Sequence, residues 1–423
     1  MVLNNEDYVS KVNDQIQRSH LIETENDLSA DFHEQVKTWV EKWTGLRKLS
    51  KEWAEYIIPS KPRAGTMYGL IKTHKPNNTN PTRNISSGCG TAVEYLSIFV
   101  ETHLAPIANA LPSRIKDTSH FLQIIDEINN NGNLPPNVIL ASLDVVNMFP
   151  NIDNVKGVTD VTNKLEQRTK KDPPTRCIIE ALLLCLQCNN TTFLDKQYLQ
   201  TDGTAQGPHM ACSYSDIAMD RYDRAVNVPS KSPLVWWRFR DDIFLLWTYT
   251  LIELNRFVNY MNNLDDTGKL KYTLKIGDAS GLDMMDLTLL FNPQTCKIAT
   301  DIYAKPTNTF TYVDPNTCYS KRNINNVPYG VALRIRRICD TDEKFQTRAE
   351  EYKNYMIARN YEPTVVDEKF ALAGSISREE ARRPKRGNYN NNNNNNNNKV
   401  PRATNQYTVV QYIVNCPSEV EKS

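Results

Sequence analysis

The chain has 423 residues, of which 40% are hydrophobic and 23% are charged, and its formal net charge is +1 at pH 7. These values are those of an ordinary soluble protein, and the length is enough for two or three domains. No run approaches the roughly 18 apolar residues of a membrane-spanning helix. The nine scattered cysteines indicate a reducing compartment rather than a disulfide scaffold.

Basic residues are concentrated in two segments, 61–90 and 316–339, that contain no acidic residue. Their cations are Lys61, Arg63, Lys72, Lys75, Arg83, Lys321, Arg322, Arg334, Arg336 and Arg337. Such a distribution indicates a track for the phosphates of a nucleic acid, and the alternative is an ordinary solvated surface.

The N-terminal third is predicted to be largely helical. Helical spacing marks the first sixty residues, and turn residues mark 61–90 as a loop-rich basic segment. Helical patterns follow at 91–106 and 118–130. The β-branched apolar run 137–144, "NVILASLD", predicts a buried strand that ends in Asp144.

The central part combines helices with a hairpin. A helix is predicted at 174–189, and a glycine turn leads into another helix within 202–223. The run 233–247, "PLVWWRFRDDIFLLW", predicts two short strands with Asp241 and Asp242 at the turn.

A helix near 251–263 comes next, and the pattern is helical again after about 316. Between them, strands are predicted at 270–276, 283–291 and 297–304. This order predicts an α+β fold with helices on one face of a small sheet. The asparagine run 390–398 cannot pack a core, which predicts a disordered or linker segment.

Three carboxylates stand out at the ends of predicted strands. If the strands are neighbours, Asp144, Asp241 and Asp242 converge at one end of the sheet, where they would repel one another and raise a pKa. Mg²⁺ or Mn²⁺ would relieve that repulsion, and two such ions can clamp the oxygens of a phosphoryl transfer. The alternative is a solvent-exposed Asp–Asp turn, because aspartate is common in turns.

The motif series carries a family resemblance. "ASLDVVNMFPNI", "GTAQGPHMACSYSDIAM" and "RFRDDIF" resemble motifs A, B and C of a reverse transcriptase palm. "MYGLIKTHKP…TRNISS" lies upstream, and "IATDIYAKPTNTFTYV", "CYSKRNINNVPYGVALRIRRICDTDEKF" and "NYMIARNYEP" lie downstream. Over about residues 5–365 the chain resembles the reverse transcriptases of Penelope-like retroelements.

The resemblance implies a right-hand polymerase fold. Fingers would occupy 1–135, a palm with a small antiparallel sheet backed by helices 136–315, a partial helical thumb 316–388, and a low-complexity tail 389–423. The implied activity is RNA-directed DNA polymerisation with two Mg²⁺ or Mn²⁺ ions, an RNA template, a DNA primer and dNTPs. The alternatives are a truncated, inactive nucleic-acid-binding remnant and a polymerase that prefers ribonucleotides.

The resemblance also implies roles for individual residues. Asp144 and Asp241 would be the main metal ligands, and Asp242 would be the second carboxylate of the pair. Phe149 would lie beneath the incoming sugar, where a ring clashes with a 2′-hydroxyl and admits a deoxyribose. The alternative for Phe149 is ordinary core packing.

Other matching positions would contact nucleotide, primer or template. The turn of motif B, where backbone must approach nucleotide and template closely, would be formed by Gly203, Gln206 and Gly207. Triphosphate charge would be neutralised by Lys72, Lys75 and Arg83. Primer and template would be held by Lys305, Arg334, Arg336 and Arg337. Lys271 or Lys275 would protonate the leaving pyrophosphate. The alternative for each cation is surface charge, and for the glycine turn a plain helix-start loop.

The chain departs from the family pattern in several places. Many reverse transcriptases have Tyr and a small or β-branched residue where this chain has Phe239 and Arg240. Strand alternation predicts that Arg240 points away from Asp241, so activity is expected to survive. "PHMAC" replaces the usual small-Pro sequence of motif B and puts the shape of that turn in question.

Upstream finger residues and a downstream GIY-YIG nuclease pattern, both common in relatives, have no counterpart here. A fragment, a truncated gene model and a decayed copy are the open alternatives. The nucleus is the expected location, with the cytoplasm as the alternative.

Overall fold

The computed structural model describes residues 4–72, 82–132 and 134–383. They form two compact units. The first covers the residues up to Ala299 together with Tyr303–Thr307, and the second covers Thr300–Ile302 and continues from Asn308. Lys75 and the predicted tail from 389 onward, including the asparagine run, lie outside the described residues.

The described residues of the first unit form ten helices, with strands between them along the chain. The helices are α1 (Asn5–Gln17), α2 (Ser29–Gly45), α3 (Lys51–Ile57), α4 (Glu94–Asn109), α5 (Thr118–Asn131), α6 (Met148–Asn151), α7 (Asn154–Glu166), α8 (Thr175–Gln187), α9 (Ala211–Ala225) and α10 (Leu251–Asn262). The strands are β1 (Leu21–Thr24), β2 (Gly65–Ile71), β3 (Thr82–Ser86), β4 (Ile139–Val145), β5 (Asn190–Phe193), β6 (Lys196–Gln200), β7 (Val235–Phe239), β8 (Asp242–Trp247), β9 (Tyr272–Ile276), β10 (Leu282–Met284) and β11 (Leu287–Asn292). Strand β12 (Lys297–Ile302) follows.

The central sheet has the strand order β7-β8-β4-β9, and its neighbours are antiparallel throughout. Strands β4 and β8 lie in the middle because their apolar residues can be buried on both faces. Ile243, Leu245 and Trp247 join the main core with residues of α4, α7, α8 and α9. On the other face, the ring of Phe244 lies 5.2 Å from that of Phe121 in α5. Helices therefore pack on both faces, whereas the sequence predicted them on one.

A second sheet has the order β1-β6-β5-β2-β3, with one parallel pair, β2 and β5. Its strands correct two expectations, because β1 lies in the stretch predicted to be helical and β2 and β3 lie in the segment predicted to be loop. Glycine, threonine and asparagine in 61–90 are turn formers locally. Cross-strand pairing such as Met67 with Ser86 overrides that preference.

The third sheet, β10-β11-β12, also differs from expectation in detail. A single strand was predicted at 283–291, but β10 and β11 pair across a two-residue turn, with Met284 opposite Leu287. Met285 has φ of +57°, and it reverses the chain there. Patterning gives the period of a strand, but it does not mark a turn made by residues that are not glycine or proline.

The described part of the second unit is mainly helical, as predicted. Its helices are α11 (Lys321–Ile338), α12 (Asp342–Ile357), α13 (Pro363–Gly374) and α14 (Arg378–Arg382). No helix among the described residues is long and apolar enough to cross a bilayer.

Candidate active site

Asp144 and Asp242 face each other across the central sheet. They are register partners in the antiparallel pair β4–β8, and Thr273 of β9 lies opposite Asp144 on the other side. Directly opposed residues of an antiparallel pair project from the same face. The backbone N–H of Val145 donates to the carbonyl of Asp241 over 2.9 Å, which attaches the turn to β4. The predicted convergence of the three aspartates is confirmed.

The turn that carries Asp241 is a tight one. Phe239 pairs with Asp242, so the two-residue loop is Arg240 and Asp241. Asp242, predicted to share the turn with Asp241, is instead the first residue of β8. Arg240 has φ of +57°, a conformation that costs a residue with a side chain about 1–2 kcal/mol. Its guanidinium donates to the carbonyl of Cys212 over 3.1 Å and to the carboxylate of Asp216, both on α9.

A cavity of about 540 Å³ adjoins the three aspartates and is lined by all of them. The predicted nucleotide-binding residues Lys72, Arg83, Phe149 and Gln206 line it too, and so does Lys305. Arg240 is not among the lining residues, which agrees with its expected orientation away from Asp241. The cavity therefore brings three acidic side chains together with basic side chains from distant parts of the chain.

The environment of the site raises the pKa of Asp242 to about 6. Burial is the main cause, and the negative charges of Asp241 and Asp144 add to it. The positive charges of Lys305 and Arg83 act in the opposite direction. Ionisation of Asp242 therefore costs more free energy than it would in water, because the group is buried and has two other carboxylates nearby.

The donor chemistry of these aspartates fits a hard divalent cation such as Mg²⁺ or Mn²⁺, which prefers carboxylate oxygens. A cation would remove the repulsion that raises the pKa of Asp242. Across the described ranges, however, no three His, Cys, Asp or Glu side chains are gathered as a ready metal cluster. The aspartates share a cavity and a sheet end, and their role as ligands stays a prediction.

Asp242→Asn should stabilise the protein when EDTA removes divalent cations. With a pKa of about 6, the ionised carboxylate costs on the order of 1–3 kcal/mol at pH 7. Because the pKa is raised in the folded state, wild-type stability falls as pH rises from about 4 to about 6 and then levels off. Thermal unfolding across this range should show the variant gaining on wild type through the window.

Asp195→Asn is the matched control, because Asp195 is an exposed aspartate in the two-residue turn between β5 and β6. Its unfolding temperature should follow wild type at every pH. Parallel pH profiles for wild type and Asp242→Asn would contradict the raised pKa.

The loop of motif B is held between two other segments by close backbone contacts. A Cβ on Gly203, whose φ is +67°, would lie 2.3 Å from the carbonyl oxygen of Pro150. A Cβ on Gly207 would lie 1.9 Å from the carbonyl oxygen of Ser86. The glycines are thus required by packing against the chain's own backbone. Gly207 is exposed and does not line the cavity.

Hydrogen bonds strengthen the same arrangement. The N–H of Thr204 donates to the carbonyl of Phe149 over 2.9 Å, and the N–H of Ser86 donates to the carbonyl of Gln206 over 3.2 Å. Phe149 is partly buried and packs against the main core while it also lines the cavity. Phe149 therefore packs in the core and also faces the cavity, and its role beneath the incoming sugar stays a prediction.

The predicted thumb cations Arg334, Arg336 and Arg337 lie on α11 in the second unit. Arg336 donates to the carbonyl of Ile376 over 2.8 Å, and its side chain is 11% exposed. Arg337 donates to the carbonyl of Ala381 over 2.5 Å. These two arginines use donors to connect helices of their own unit, and the nucleic-acid role of all three stays a prediction.

The two lysines considered for pyrophosphate protonation lie on and just before β9. Lys271 donates to the carbonyl of Asn262 over 2.9 Å, and Lys275 pairs with Asp283 over 3.3 Å. Neither of them lines the cavity.

Sequence reasoning missed the buried acids of α9. Asp216, Asp220 and Asp223 are each at most 6% exposed and accept hydrogen bonds or ion pairs from surrounding cations. Their spacing of four and three residues places them on one helical face. Asp216 and Asp223 pair with Arg238 of "RFR", whereas Asp220 pairs with Lys164 of α7. That spacing was the available signal.

The chain is similar in structure to several solved polymerase structures. No protein-family model and no curated protein matches the chain. Telomerase from Candida albicans in complex with a TWJ fragment of telomeric RNA matches with a TM-score of 0.56 and 9% identity, covering 88% of this chain and 59% of that chain. The corresponding Candida tropicalis complex matches with a TM-score of 0.50 and 12% identity, covering 89% and 63%. A Sicinivirus RNA-dependent RNA polymerase matches with a TM-score of 0.48 and 9% identity, covering 77% and 71%.

The likeness to the two telomerase complexes shows a reverse-transcriptase-like polymerase fold, so the predicted right-hand fold class is confirmed. At 9% and 12% identity this likeness concerns the fold alone. The chain spans 59% and 63% of the length of those telomerase chains.

Proposed function

We propose that the chain is an RNA-directed DNA polymerase, the reverse transcriptase of a Penelope-like retroelement, and that it extends a DNA primer on an RNA template in the nucleus. The observation that carries the proposal is the direct opposition of Asp144 and Asp242, with Asp241 in the adjoining turn, inside a cavity also lined by cations. The polymerase fold and the motif series from A to C support it.

In the proposed reaction the primer 3′-oxygen bonds to the α-phosphorus of a dNTP, and the bond to pyrophosphate breaks. Asp144, Asp241 and Asp242 would hold two Mg²⁺ or Mn²⁺ ions, whose chemistry is to stabilise charge on the attacking and leaving oxygens. Arg83 would offset triphosphate charge, since its positive charge already acts on Asp242. Lys305, whose charge also acts on Asp242, would hold the primer end beside the aspartates. The loop of motif B, fixed by its close backbone contacts, would keep its side of the cavity rigid for the nucleotide.

Primer extension tests the proposal. The full chain is incubated with a DNA primer annealed to RNA or to DNA, with dNTPs or rNTPs, and with Mg²⁺, Mn²⁺ or EDTA. Metal-dependent addition of dNTPs on the RNA template supports the proposal. Binding of primer–template in a gel shift without extension under any metal would contradict it and favour the inactive remnant.

Phe149→Ala should relax the choice of sugar. Removing the ring takes away a steric contact of about 1–3 kcal/mol, so the preference for dNTP over rNTP in kcat/KM should fall by about 10–100-fold. Single-nucleotide incorporation kinetics measure the ratio, and Phe149→Tyr, which keeps the ring, should retain it. A wild-type enzyme that accepts rNTPs as readily as dNTPs would rule out this role and favour the ribonucleotide alternative.

A further inference from the structure

The residue before the aspartate pair is a charged residue with a positive φ. Arg240 is a long charged residue at φ of +57°, a region that residues with a Cβ rarely occupy. It stands where many reverse transcriptases have a small or β-branched residue. Leu194 and Met285 have the same conformation in two other two-residue turns, so the charged side chain and its partners are what distinguish Arg240.

The side chain of Arg240 holds the turn on α9. Its Nη1 donates to the carbonyl of Cys212 over 3.1 Å and to the carboxylate of Asp216. The backbone of the same residue is held as well, because Nη1 of Arg238 donates to the carbonyl of Arg240 over 3.2 Å. Arg238 is anchored in turn by two bonds of 3.0 Å, one to the carboxylate and one to the carbonyl of Asp216.

Asp216 does not depend on Arg240 for a counter-charge. It is 1% exposed, and it also pairs with Arg114 over 3.0 Å and with Arg238 over 3.0 Å. Removing Arg240 would leave this buried carboxylate with two guanidinium partners, so the network would remain compensated. The guanidinium of Arg240 can therefore serve to hold the turn in place.

The role of Arg240 follows from the residues and contacts on either side of the turn. Asp241 and Asp242 come next in the chain and line the cavity, while the carbonyl of Asp241 is bound to Val145 of β4. The turn is thus fixed to α9 through residue 240 and to β4 through residue 241. These two attachments define where the aspartate pair lies relative to Asp144.

We propose that Arg240 is a positioning residue, which fixes the turn on α9 and so sets the placement of Asp241 and Asp242 for binding divalent cations. This inference rests on the proposed function. Groups that orient metal ligands typically change metal affinity by 10–100-fold when they are removed. Helix α9 directly follows the loop of motif B, which lines the cavity through Thr204, Ala205 and Gln206. The contact of Arg240 with α9 therefore also connects that loop to the aspartates.

Arg240→Gly is the informative variant, since glycine removes the guanidinium and accepts the positive φ without strain. Mn²⁺ binding to the full chain without substrate, followed by electron paramagnetic resonance, should weaken by about tenfold. In primer extension the half-saturating Mg²⁺ concentration should rise by a similar factor, while kcat at saturating Mg²⁺ recovers most of its wild-type value. Arg240→Lys, which keeps one charged donor, should recover part of the Mn²⁺ affinity.

Arg224→Ala is the matched control, because Arg224 lies on the same helix, pairs with Asp220 and is 62% exposed. It should bind Mn²⁺ as wild type does. Unchanged Mn²⁺ affinity and Mg²⁺ dependence in Arg240→Gly would overturn the proposal, as would a large fall in its unfolding temperature or the absence of Mn²⁺ binding by wild type.

The two proposals fail in distinguishable ways. If wild type binds Mn²⁺ in a manner that depends on Arg240 but extends no primer, the polymerase function fails and the positioning role stands. If wild type extends primers and Arg240→Gly does so with the same Mg²⁺ dependence, the positioning role fails and the function stands.

Discussion

Asp241→Asn is expected to lower the rate of primer extension by about a thousandfold or more, equivalent to about 4 kcal/mol of transition-state stabilisation. An amide keeps the size of the side chain but removes the negative charge that a divalent cation requires from its ligand. Asp241 lines the cavity at the end of the β7–β8 hairpin, and its backbone contact to Val145 does not involve the carboxylate. The variant should therefore remain folded, and single-turnover extension on an RNA template measures the loss.

The chain provides a close control for this substitution. Three hairpins in the described structure share a two-residue turn whose first residue has positive φ and whose second residue is aspartate. The three turns are Leu194–Asp195, Arg240–Asp241 and Met285–Asp286. Asp195 is exposed and does not line the cavity, so Asp195→Asn should extend primers at the wild-type rate. Equal activity of Asp241→Asn and Asp195→Asn would contradict the assignment of Asp241.

The same three turns explain how far the sequence could identify the site. An aspartate in a tight turn is ordinary turn chemistry, and the exposed Asp195 is an example of it. Asp242 differs because it begins a strand that is otherwise buried and lies opposite Asp144. The apolar runs around both residues predicted strands, and the aspartates were expected to converge on the condition that those strands are neighbours, which they are.

Other features depended on contacts between distant segments, which periodicity does not reveal. Strand alternation gave the direction of Arg240 but not its partner Asp216, which lies 24 residues away on α9. The glycines of motif B were expected to make room for a nucleotide, whereas the backbones of Pro150 and Ser86 already require them. Strands β2 and β3 were missed because their glycines and polar residues favour turns until a neighbouring strand pairs with them.

Arg238→Met is expected to destabilise the protein by about 3–5 kcal/mol, the cost of leaving a buried carboxylate without its cation. Arg238 is fully buried, and its Nε donates to Asp223 over 2.9 Å while its Nη1 donates to Asp216 over 3.0 Å. Without it, Asp216 keeps Arg114 and Arg240, but the hydrogen bonds that remain to Asp223 come from the neutral groups of Ser113 and Trp236. Thermal unfolding should show a fall of roughly 5–10 °C.

The control and the rescue separate charge from packing. Arg176 donates to Glu180, but its side chain is 78% exposed and Glu180 keeps its pair with Lys42, so Arg176→Met should cost less than about 1 kcal/mol. Adding Asp223→Asn to Arg238→Met removes the uncompensated charge and should recover part of the lost stability. If Arg238→Met costs no more than Arg176→Met, or if the double variant is less stable still, burial of the charge is not the cause. A recovery would show that the hairpin under the aspartates is held to α9 mainly by charge pairing in a buried environment.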